Sequence, residues 1–424
     1  TNNNGTAGLV IQSDATGTGK LVNNTTGVEA TVQQFIAEDK WHYMGIPFAE
    51  TPKVAPMLKG LWVVGSDEQT ATHNSGDGWS YLTANDVLTS GKGFGVFHDL
   101  DTTITLYGTL KATEQVIPVS WKDGDHGWNL ISNPFPCTAD WDYIRTNSGL
   151  SNVNDAIYVY DPVSDSYASY VDGVTGGAET QDQNIAPMQG FFVRSTAEGT
   201  ITFSENSKSV ASGTFKSSSL DQLIRLTLIS PNSQIDNTVV RMELQSTEKF
   251  DGHFDAYKLL SANSETSQLY SVLNGDDYSI NSIPDITEET VIPLRALTRQ
   301  DGEHILALSR SSSYRYPYPV LLYNPSNGDL VDLESDDYRF ETVNGETIVF
   351  QLVFTKNGTR VQTIDLDNTI IEMVGHQLLV TGLGAGTSTI WIYNAKGQVV
   401  SKGITTANCY EQDNLPFGVL LIRV

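Results

Sequence analysis

Two stretches of closely spaced tyrosines have the residue types and spacing that suit ligand binding. The candidates are Tyr158 and Tyr160 in one stretch, and Tyr314, Tyr316 and Tyr318 in the other. Prolines alternate with the later tyrosines, and because proline breaks a strand ladder this stretch is expected at an exposed edge. Exposed aromatic faces beside polar donors bind sugars, so both stretches are candidate carbohydrate sites. The alternative is that the tyrosines line half-buried strands.

Calcium is the one metal that the acidic residues suggest. Asp123 and Asp125 flank Gly124, and alternate carboxylates in a turn can converge on one cation. The stretch lacks the third acidic position and the distal Glu of an EF-hand loop. A plain β-turn is the simpler interpretation, so no cofactor is predicted, with calcium kept as a candidate.

Catalytic motifs are missing from the sequence. It contains no Gly-x-Ser-x-Gly and no His-Glu-x-x-His, and its seven histidines do not pair at metal-ligand spacing. A glycosidase needs two carboxylates roughly 5–10 Å apart, but fifty acidic residues supply many accidental pairs. We therefore predict a non-enzymatic protein, with an extracellular hydrolase as an alternative.

The charge balance excludes one class of partner. The formal net charge is −25, with 25 basic against 50 acidic residues, so the basic surface that nucleic acids require is absent. No apolar run approaches the ~20 residues of a membrane-spanning helix. A host or matrix protein, or a glycan, remains a candidate partner, and the sequence does not indicate an oligomeric state.

Turn signals and short strands predict an all-β chain. Asx-Gly pairs recur along the sequence, and such pairs tolerate the positive φ angles of tight hairpins. Short β-favouring segments lie between them, as in 157–160, 223–229 and 347–354. We expect tandem β-sandwich domains of jelly-roll or immunoglobulin-like type.

An internal repeat organises the first half. Trp41 and Trp128 are each followed six residues later by Pro-Phe, and each copy then reaches a Gly-Phe-x-Val segment, at Gly93 and Gly190. An Ile-Thr pair follows each of these glycines after eleven residues. We predict two related β-units with aromatic core anchors, and the sequence leaves open whether they form one sandwich or two.

The predicted domain boundaries follow these patterns. Residues 1–24 are expected to be a strand or connection from an upstream region, since Thr1 is not an initiator Met. The repeated domain spans 25–210, as units of about 25–115 and 116–210. A polar linker or long connection at 204–219 leads to a second β-sandwich at 220–356, and an immunoglobulin-like sandwich ends the chain at 360–424.

Several segments resemble large secreted proteins of the type IX secretion group and their gut-bacterial relatives. The similar segments are Gly127–Pro136, Pro187–Val193, Phe250–Lys258, Leu378–Leu383 and Leu415–Val424. The last two resemble the C-terminal sorting domain (Por secretion type A) of that route. Leu420 stands where the family has Tyr, and the chain stops at Val424, short of the family's final strand. The resemblance implies an extracellular or outer-membrane-surface location and an adhesin-like role.

Together these patterns lead to three functional hypotheses. The first is a non-enzymatic secreted or cell-surface protein that mediates adhesion or scaffolding through broad domain faces. The second is a glycan-binding module of a surface polysaccharide system, which requires clustered, accessible aromatic rings. The third is the hydrolase, which requires a pocket with two convergent carboxylates.

Overall fold

The computed structural model confirms the all-β prediction. It describes residues 5–54, 58, 60–69, 77–122, 127–178, 181–210, 223–288, 290–309 and 318–354, and most of 370–423 with short gaps. Strands make up 52% of the chain and helices 4%, in several separate sheets. Two of the Asx-Gly pairs form the predicted hairpin turns: Asp172-Gly173 and Asn274-Gly275 hold positive φ at both residues, which matches the twist of the flanking strands.

The first repeat unit has two main sheets around one core and a separate two-stranded hairpin. Its strands are β1 (Val10–Ile11), β2 (Ser13–Asp14), β3 (Gly17–Thr18), β4 (Glu29–Ile36), β5 (His42–Met44), β6 (Trp62–Ser66), β7 (Trp79–Tyr81), β8 (Phe94–Phe97) and β9 (Thr102–Thr109), after a 3₁₀ turn at Gly5–Gly8. One sheet has the order β1-β4-β9 and the other β5-β8-β6-β7. Apolar side chains from both fill the space between them, including Val32, Phe94 and Leu106.

The second repeat unit carries the one α-helix of the described chain. Its elements are β10 (Gln115–Val119), β11 (Trp128–Ser132), β12 (Thr138–Asp140), α1 (Trp141–Thr146), β13 (Leu150–Val153), β14 (Ile157–Asp161), β15 (Ser166–Val171), β16 (Val174–Gly177), β17 (Asn184–Ile185), β18 (Gly190–Phe203), a 3₁₀ turn at Glu205–Ser207 and β19 (Lys208–Ser209). The Asp140 side chain caps α1 by accepting from the Tyr143 amide. Trp141 is fully buried, and its Nε1–H donates to the Asp155 carbonyl at 2.7 Å.

The two units share one strand-pairing pattern. In the first, β5 and β6 both pair with β8, β7 pairs with β6, and β4 pairs with β9. In the second, β11 and β14 both pair with β18, β15 pairs with β14, and β10 pairs with the far end of β18. The long strand β18 therefore corresponds to both β8 and β9 of the first unit.

The units meet at reciprocal contacts that glycines make possible. Gly93 approaches Leu130 and Ile131, and its repeat counterpart Gly190 approaches Tyr43 and Met44, which are the counterparts of those two residues. A Cβ at Gly190 would lie 2.7 Å from the Tyr43 carbonyl carbon. When residue i of one unit contacts residue j of the other, and j of the first contacts i of the second, the two units are related by a two-fold axis. The repeats thus pack about a pseudo-two-fold axis.

Residues 223–354 form one sheet that curls into a nearly closed barrel, rather than two separate sheets. Its strands are β20 (Leu223–Ile229), β21 (Ile235–Met242), β22 (Ala256–Tyr257), β23 (Gln268–Leu273), β24 (Asp276–Ile283), β25 (Val291–Leu297), β26 (Gly302–Leu308), β27 (Leu321–Tyr323), β28 (Leu330–Asp332), β29 (Tyr338–Thr342) and β30 (Thr347–Val353). The sheet has eleven strands. Leu226, Leu294 and Phe350 are among the apolar residues that fill its interior.

The outer face of this barrel covers one face of the second repeat. Tyr257, Tyr278 and Ile280 from the barrel pack with Trp128 and Tyr158 of the repeat in one buried cluster. An ion-pair network borders the cluster. Arg241, which is 5% exposed, contacts Asp172 of the repeat at 2.7 Å and Glu243 at 2.9 Å. The two bodies are therefore joined by both apolar and ionic contacts.

The C-terminal part is a small two-sheet sandwich. Its strands are β31 (Ile370–Val374), β32 (Gln377–Thr381), β33 (Ser388–Asn394), β34 (Val399–Thr405), β35 (Cys409–Gln412) and β36 (Leu420–Arg423). The sheets have the orders β31-β32-β35 and β34-β33-β36, and Leu378, Ile390 and Ile392 lie in the core between them. Strands β33 and β34 form an antiparallel hairpin.

Two predicted segments differ from the structure. Residues 1–24 were predicted to be a strand or connection outside the repeated domain at 25–210, but Ile11 is 6% exposed in the core of the first unit, because β1 pairs with β4. The predicted linker at 204–219 begins too early, since β19 pairs with β12 and Lys208 donates to the Asn23 carbonyl at 2.8 Å. Polar composition misled the linker prediction because Lys208 and Ser209 are held by hydrogen bonds instead of apolar burial.

The pseudo-two-fold contact gives a first testable prediction. Gly190→Ala places a methyl group against backbone atoms of Tyr43 and Met44, which cannot move aside as a side-chain end can. We expect a loss of about 1–3 kcal/mol in the free energy of unfolding, measured by urea denaturation. Ser151→Ala, at an exposed strand position, should stay within roughly 0.5 kcal/mol of wild type. Equal stability of all three proteins would refute the tight packing.

The barrel–repeat junction gives a second prediction. Arg241→Ala leaves the partly buried carboxylates of Asp172 and Glu243 without this guanidinium. We expect a loss of roughly 3 kcal/mol, as for removal of one partner from a buried pair. Arg339→Ala is the matched control, because its contact with Glu303 joins side chains that are 56% and 48% exposed, and such pairs contribute about 0–1 kcal/mol. Urea denaturation of both variants checks the ranking.

Candidate functional site

One face of the sheet β5-β8-β6-β7 is lined with aromatic side chains. Trp62, Val64 and Ser66 alternate on β6 and so share a face. The pairing register places Val64 beside Tyr81 and Ser66 beside Trp79. On the other side, Val64 pairs with Gly95, and Gly95 pairs with Tyr43. Gly95 has no side chain, and the side chains of Trp41, Tyr43 and Val64 pack over its backbone.

A cavity of about 560 Å³ lies over this face of the sheet. Its volume is within the roughly 300–1,000 Å³ range of small-molecule sites. Its described lining comes from three parts of the chain. The first repeat supplies Trp41, Tyr43, Val64, Ser66, Asp77, Trp79, Ser80 and Tyr81; the second supplies Trp128, Tyr160, Tyr167 and Phe192; the barrel supplies Leu259, Leu260, Ser261, Ala262, Asn263 and Arg299. The site therefore exists only where the three parts are assembled.

Tyr43 is the centre of the ring cluster. Its ring centroid lies 5.3 Å from that of Trp79, 5.2 Å from that of Tyr160 and 5.9 Å from that of Phe192. These are ordinary separations for packed aromatic pairs. Because the rings support each other, the wall of the cavity is preformed and does not need a ligand to order it.

The tyrosine hydroxyls supply polar groups among the rings. The Tyr43 and Tyr167 hydroxyls are hydrogen-bonded at 3.1 Å, and Tyr160 donates to Asp165, which also accepts from the Asn263 amide. Burial raises the pKa of Tyr167 to about 12 and raises that of Tyr43 well above its usual range. Both hydroxyls therefore stay protonated at neutral pH and offer neutral donors and acceptors.

The pseudo-symmetry explains why the cavity lies on the first repeat. The counterpart of Tyr81 is Ser169, which is 2% exposed and bonded to Ser279 of the barrel at 2.7 Å. Tyr81 itself is 64% exposed. Trp128 is likewise 3% exposed under the barrel, whereas its counterpart Trp41 is half-buried. The barrel covers this face in the second repeat and leaves the same face of the first repeat open.

The predicted tyrosine sites have different outcomes. Tyr160 lines the cavity. Tyr158 is 1% exposed, and its hydroxyl oxygen accepts from the Tyr257 backbone amide at 3.0 Å, so it cannot offer an exposed platform. Tyr158 and Tyr160 are two residues apart on β14 and share a face, which the barrel covers at Tyr158. Tyr318 packs against the barrel interior, while Tyr314 and Tyr316 lie outside the described residues.

The calcium candidate cannot be placed. Asp123 and Asp125 lie outside the described residues. Within the described part of the chain, no group of three or more His, Cys, Asp or Glu side chains is arranged to hold a metal ion. No described helix is long and apolar enough to cross a bilayer.

Sequence reasoning missed most of the cavity wall. Trp41 was identified only as a core anchor of the repeat, and Tyr43, Trp79 and Tyr81 were not singled out. A signal was present, because Trp79-Ser-Tyr81 alternates aromatic and polar residues on a short strand. What the pattern could not indicate is which face of that strand meets the neighbouring unit.

Comparison with known proteins places the chain in a family. A family model described as a domain of unknown function (DUF8693) matches residues 77–354. The chain belongs to this family. The matched region includes β7, the second repeat and the barrel, and hence most of the cavity lining, while Trp41 and Tyr43 precede it. No curated protein matches the chain.

The barrel segment that reaches the cavity is anchored by a buried carboxyl group. Asp255 is 0% exposed and accepts from the Ser282 and Asp251 amides at 2.6 and 2.7 Å. Burial raises its pKa to about 7, against about 3.9 in an unfolded chain. The folded protein therefore holds this proton between pH 4 and 7, where the unfolded chain releases it.

This difference predicts how stability depends on pH. Since the unfolded state loses the proton first, the contribution of Asp255 to stability falls as pH rises from about 4 to 7 and is constant above. Urea denaturation from pH 5 to 8 should show this decline in wild type and a smaller one in Asp255→Asn. The variant is expected to be less stable overall, because one backbone amide loses its acceptor. Parallel pH profiles would contradict the assignment.

Proposed function

We propose that this protein is a non-enzymatic glycan-binding protein whose site is the aromatic cavity between the first repeat, the second repeat and the barrel. The observation that carries the proposal is the lining. Eight aromatic residues, among them Trp41, Tyr43, Trp79, Tyr81 and Tyr160, line a preformed cavity beside hydroxyl and amide groups. Sugars present apolar ring faces and hydroxyl edges, and this combination of surfaces complements both.

The carboxylates favour binding over hydrolysis. Asp77 is the one acidic side chain among the described lining residues. Asp165 lies beside the cavity, but both its carboxylate oxygens accept hydrogen bonds, from Tyr160 and Asn263. A glycosidase needs two carboxylates that face the sugar from opposite sides, and this lining supplies one.

The proposal is consistent with the hypotheses of a surface location and of adhesion. A secreted or surface-displayed glycan-binding protein would attach to a polysaccharide or to a glycosylated host partner. The acidic surface, with a net charge of −25, keeps such a protein soluble and away from anionic surfaces. Scaffolding through the broad domain faces remains the competing proposal.

A binding screen with cavity variants tests the proposal. Wild type, Trp79→Ala and Tyr160→Ala are compared on a glycan array and by affinity electrophoresis in gels that contain neutral polysaccharides. We expect each variant to weaken the wild-type interaction about tenfold or more, equivalent to roughly 1.4 kcal/mol.

The control is Trp391→Ala, which removes a tryptophan of the C-terminal sandwich that stacks on Tyr393, away from the cavity lining. It should bind as wild type does, and circular dichroism should show all variants folded. Absence of any glycan binding by wild type would reject the proposal and favour scaffolding. Binding that neither cavity variant weakens would place the glycan site elsewhere.

A further inference from the structure

The aromatic face of the first repeat continues beyond the cavity. Trp62 does not line the cavity, yet it lies on the same face of β6 as Val64 and Ser66, which do. Its ring is 5.9 Å from that of Tyr81, at the cavity rim. Trp62 is 56% exposed and Tyr81 is 64% exposed. Two large exposed rings in contact form an apolar patch of the kind that marks an interaction site.

A second row of rings runs beside the first. Trp62 pairs with Phe97 across β6 and β8, and the Trp41 ring lies 5.5 Å from that of Phe97. Trp41 lines the cavity. Neighbouring aromatic residues therefore lead from the enclosed rings around Tyr43 to the exposed ring of Trp62.

The repeat symmetry indicates that the aromatic face of the first repeat can be buried against another molecule. In the second repeat, the equivalent face is buried against the barrel through Trp128, Phe192 and Tyr158. In the first repeat no described part of the chain covers Trp62 and Tyr81 to that degree. An occupant that extends out of the cavity would bury these rings as the barrel buries their counterparts.

We propose that the site binds a linear, uncharged oligosaccharide chain, with one end in the cavity and the following sugar units over Tyr81 and Trp62. This inference rests on the proposed function. A chain fits because the surface is long and continuous instead of being one closed pocket. An uncharged chain fits because a net charge of −25 repels polyanions over long distances, while the cavity offers neutral tyrosine hydroxyls.

A length series separates the cavity from its extension. The probes are cello-, xylo-, manno- and malto-oligosaccharides of two and six units, with oligogalacturonides as the acidic series, measured by isothermal titration calorimetry. For the oligosaccharide series that binds, we expect the hexasaccharide to bind more tightly than the disaccharide. Trp62→Ala should weaken the hexasaccharide about tenfold and change the disaccharide by less than about twofold.

The matched control is Tyr107→Ala. Tyr107 is a 49% exposed aromatic residue on β9, in the other sheet of the same unit, so its removal should change neither affinity. Because Trp62 and Tyr107 are both exposed, each substitution should leave stability within roughly 0.5 kcal/mol of wild type.

Each other outcome has a definite meaning. If Trp62→Ala leaves hexasaccharide affinity unchanged while Trp79→Ala still weakens the disaccharide, the extension is wrong and the proposed function stands. If no oligosaccharide series binds, or if Trp79→Ala does not change the affinity, both proposals fail. If oligogalacturonides bind more tightly than the neutral oligosaccharides, the proposal that the bound chain is uncharged is wrong. A dimer in light scattering that Trp62→Ala dissociates would show that a second copy, and not a glycan, covers the face.

Discussion

The close packing of the two repeats about their pseudo-two-fold axis is the constraint on which the site depends. It requires backbone to approach within van der Waals contact at Gly93 and Gly190, where a Cβ would collide with the opposite unit. This approach places Tyr43 of one unit against Tyr160, Tyr167 and Phe192 of the other. Without it, the rings that wall the cavity would belong to separate surfaces.

Asymmetry around this axis then makes the two copies of the duplicated unit different. The barrel buries the aromatic face of the second repeat, where Trp128, Tyr158 and Tyr257 form one cluster. The same face of the first repeat keeps its rings but has no equivalent partner in the described chain. Two copies of one scaffold thus divide the roles: one anchors a neighbouring domain, and the other presents a cavity and an exposed aromatic strip.

The candidate site was predicted only in part, and the reasons are physical. Tyr160 was among the sequence candidates because aromatic clusters on a hairpin are visible as a pattern. Its neighbour Tyr158 was chosen on the same grounds, yet it is buried, because the barrel covers a face that period-two alternation would assign to solvent. Trp79 and Tyr43 were missed because 36 residues separate them in sequence, and only sheet pairing and the repeat contact bring their rings to 5.3 Å.

By itself the sequence determined the local structure and the total charge: the β class, the hairpin turns at Asp172-Gly173 and Asn274-Gly275, the repeat anchors and an excess of acidic residues. Each of these follows from short-range backbone preference or from total charge, which a linear pattern records. Only the tertiary structure decided that 223–354 closes into a barrel, that this barrel covers one repeat, and that the other repeat holds an open aromatic cavity. Those outcomes depend on which of two similar apolar faces is buried, and this is settled by long-range packing that no local pattern encodes.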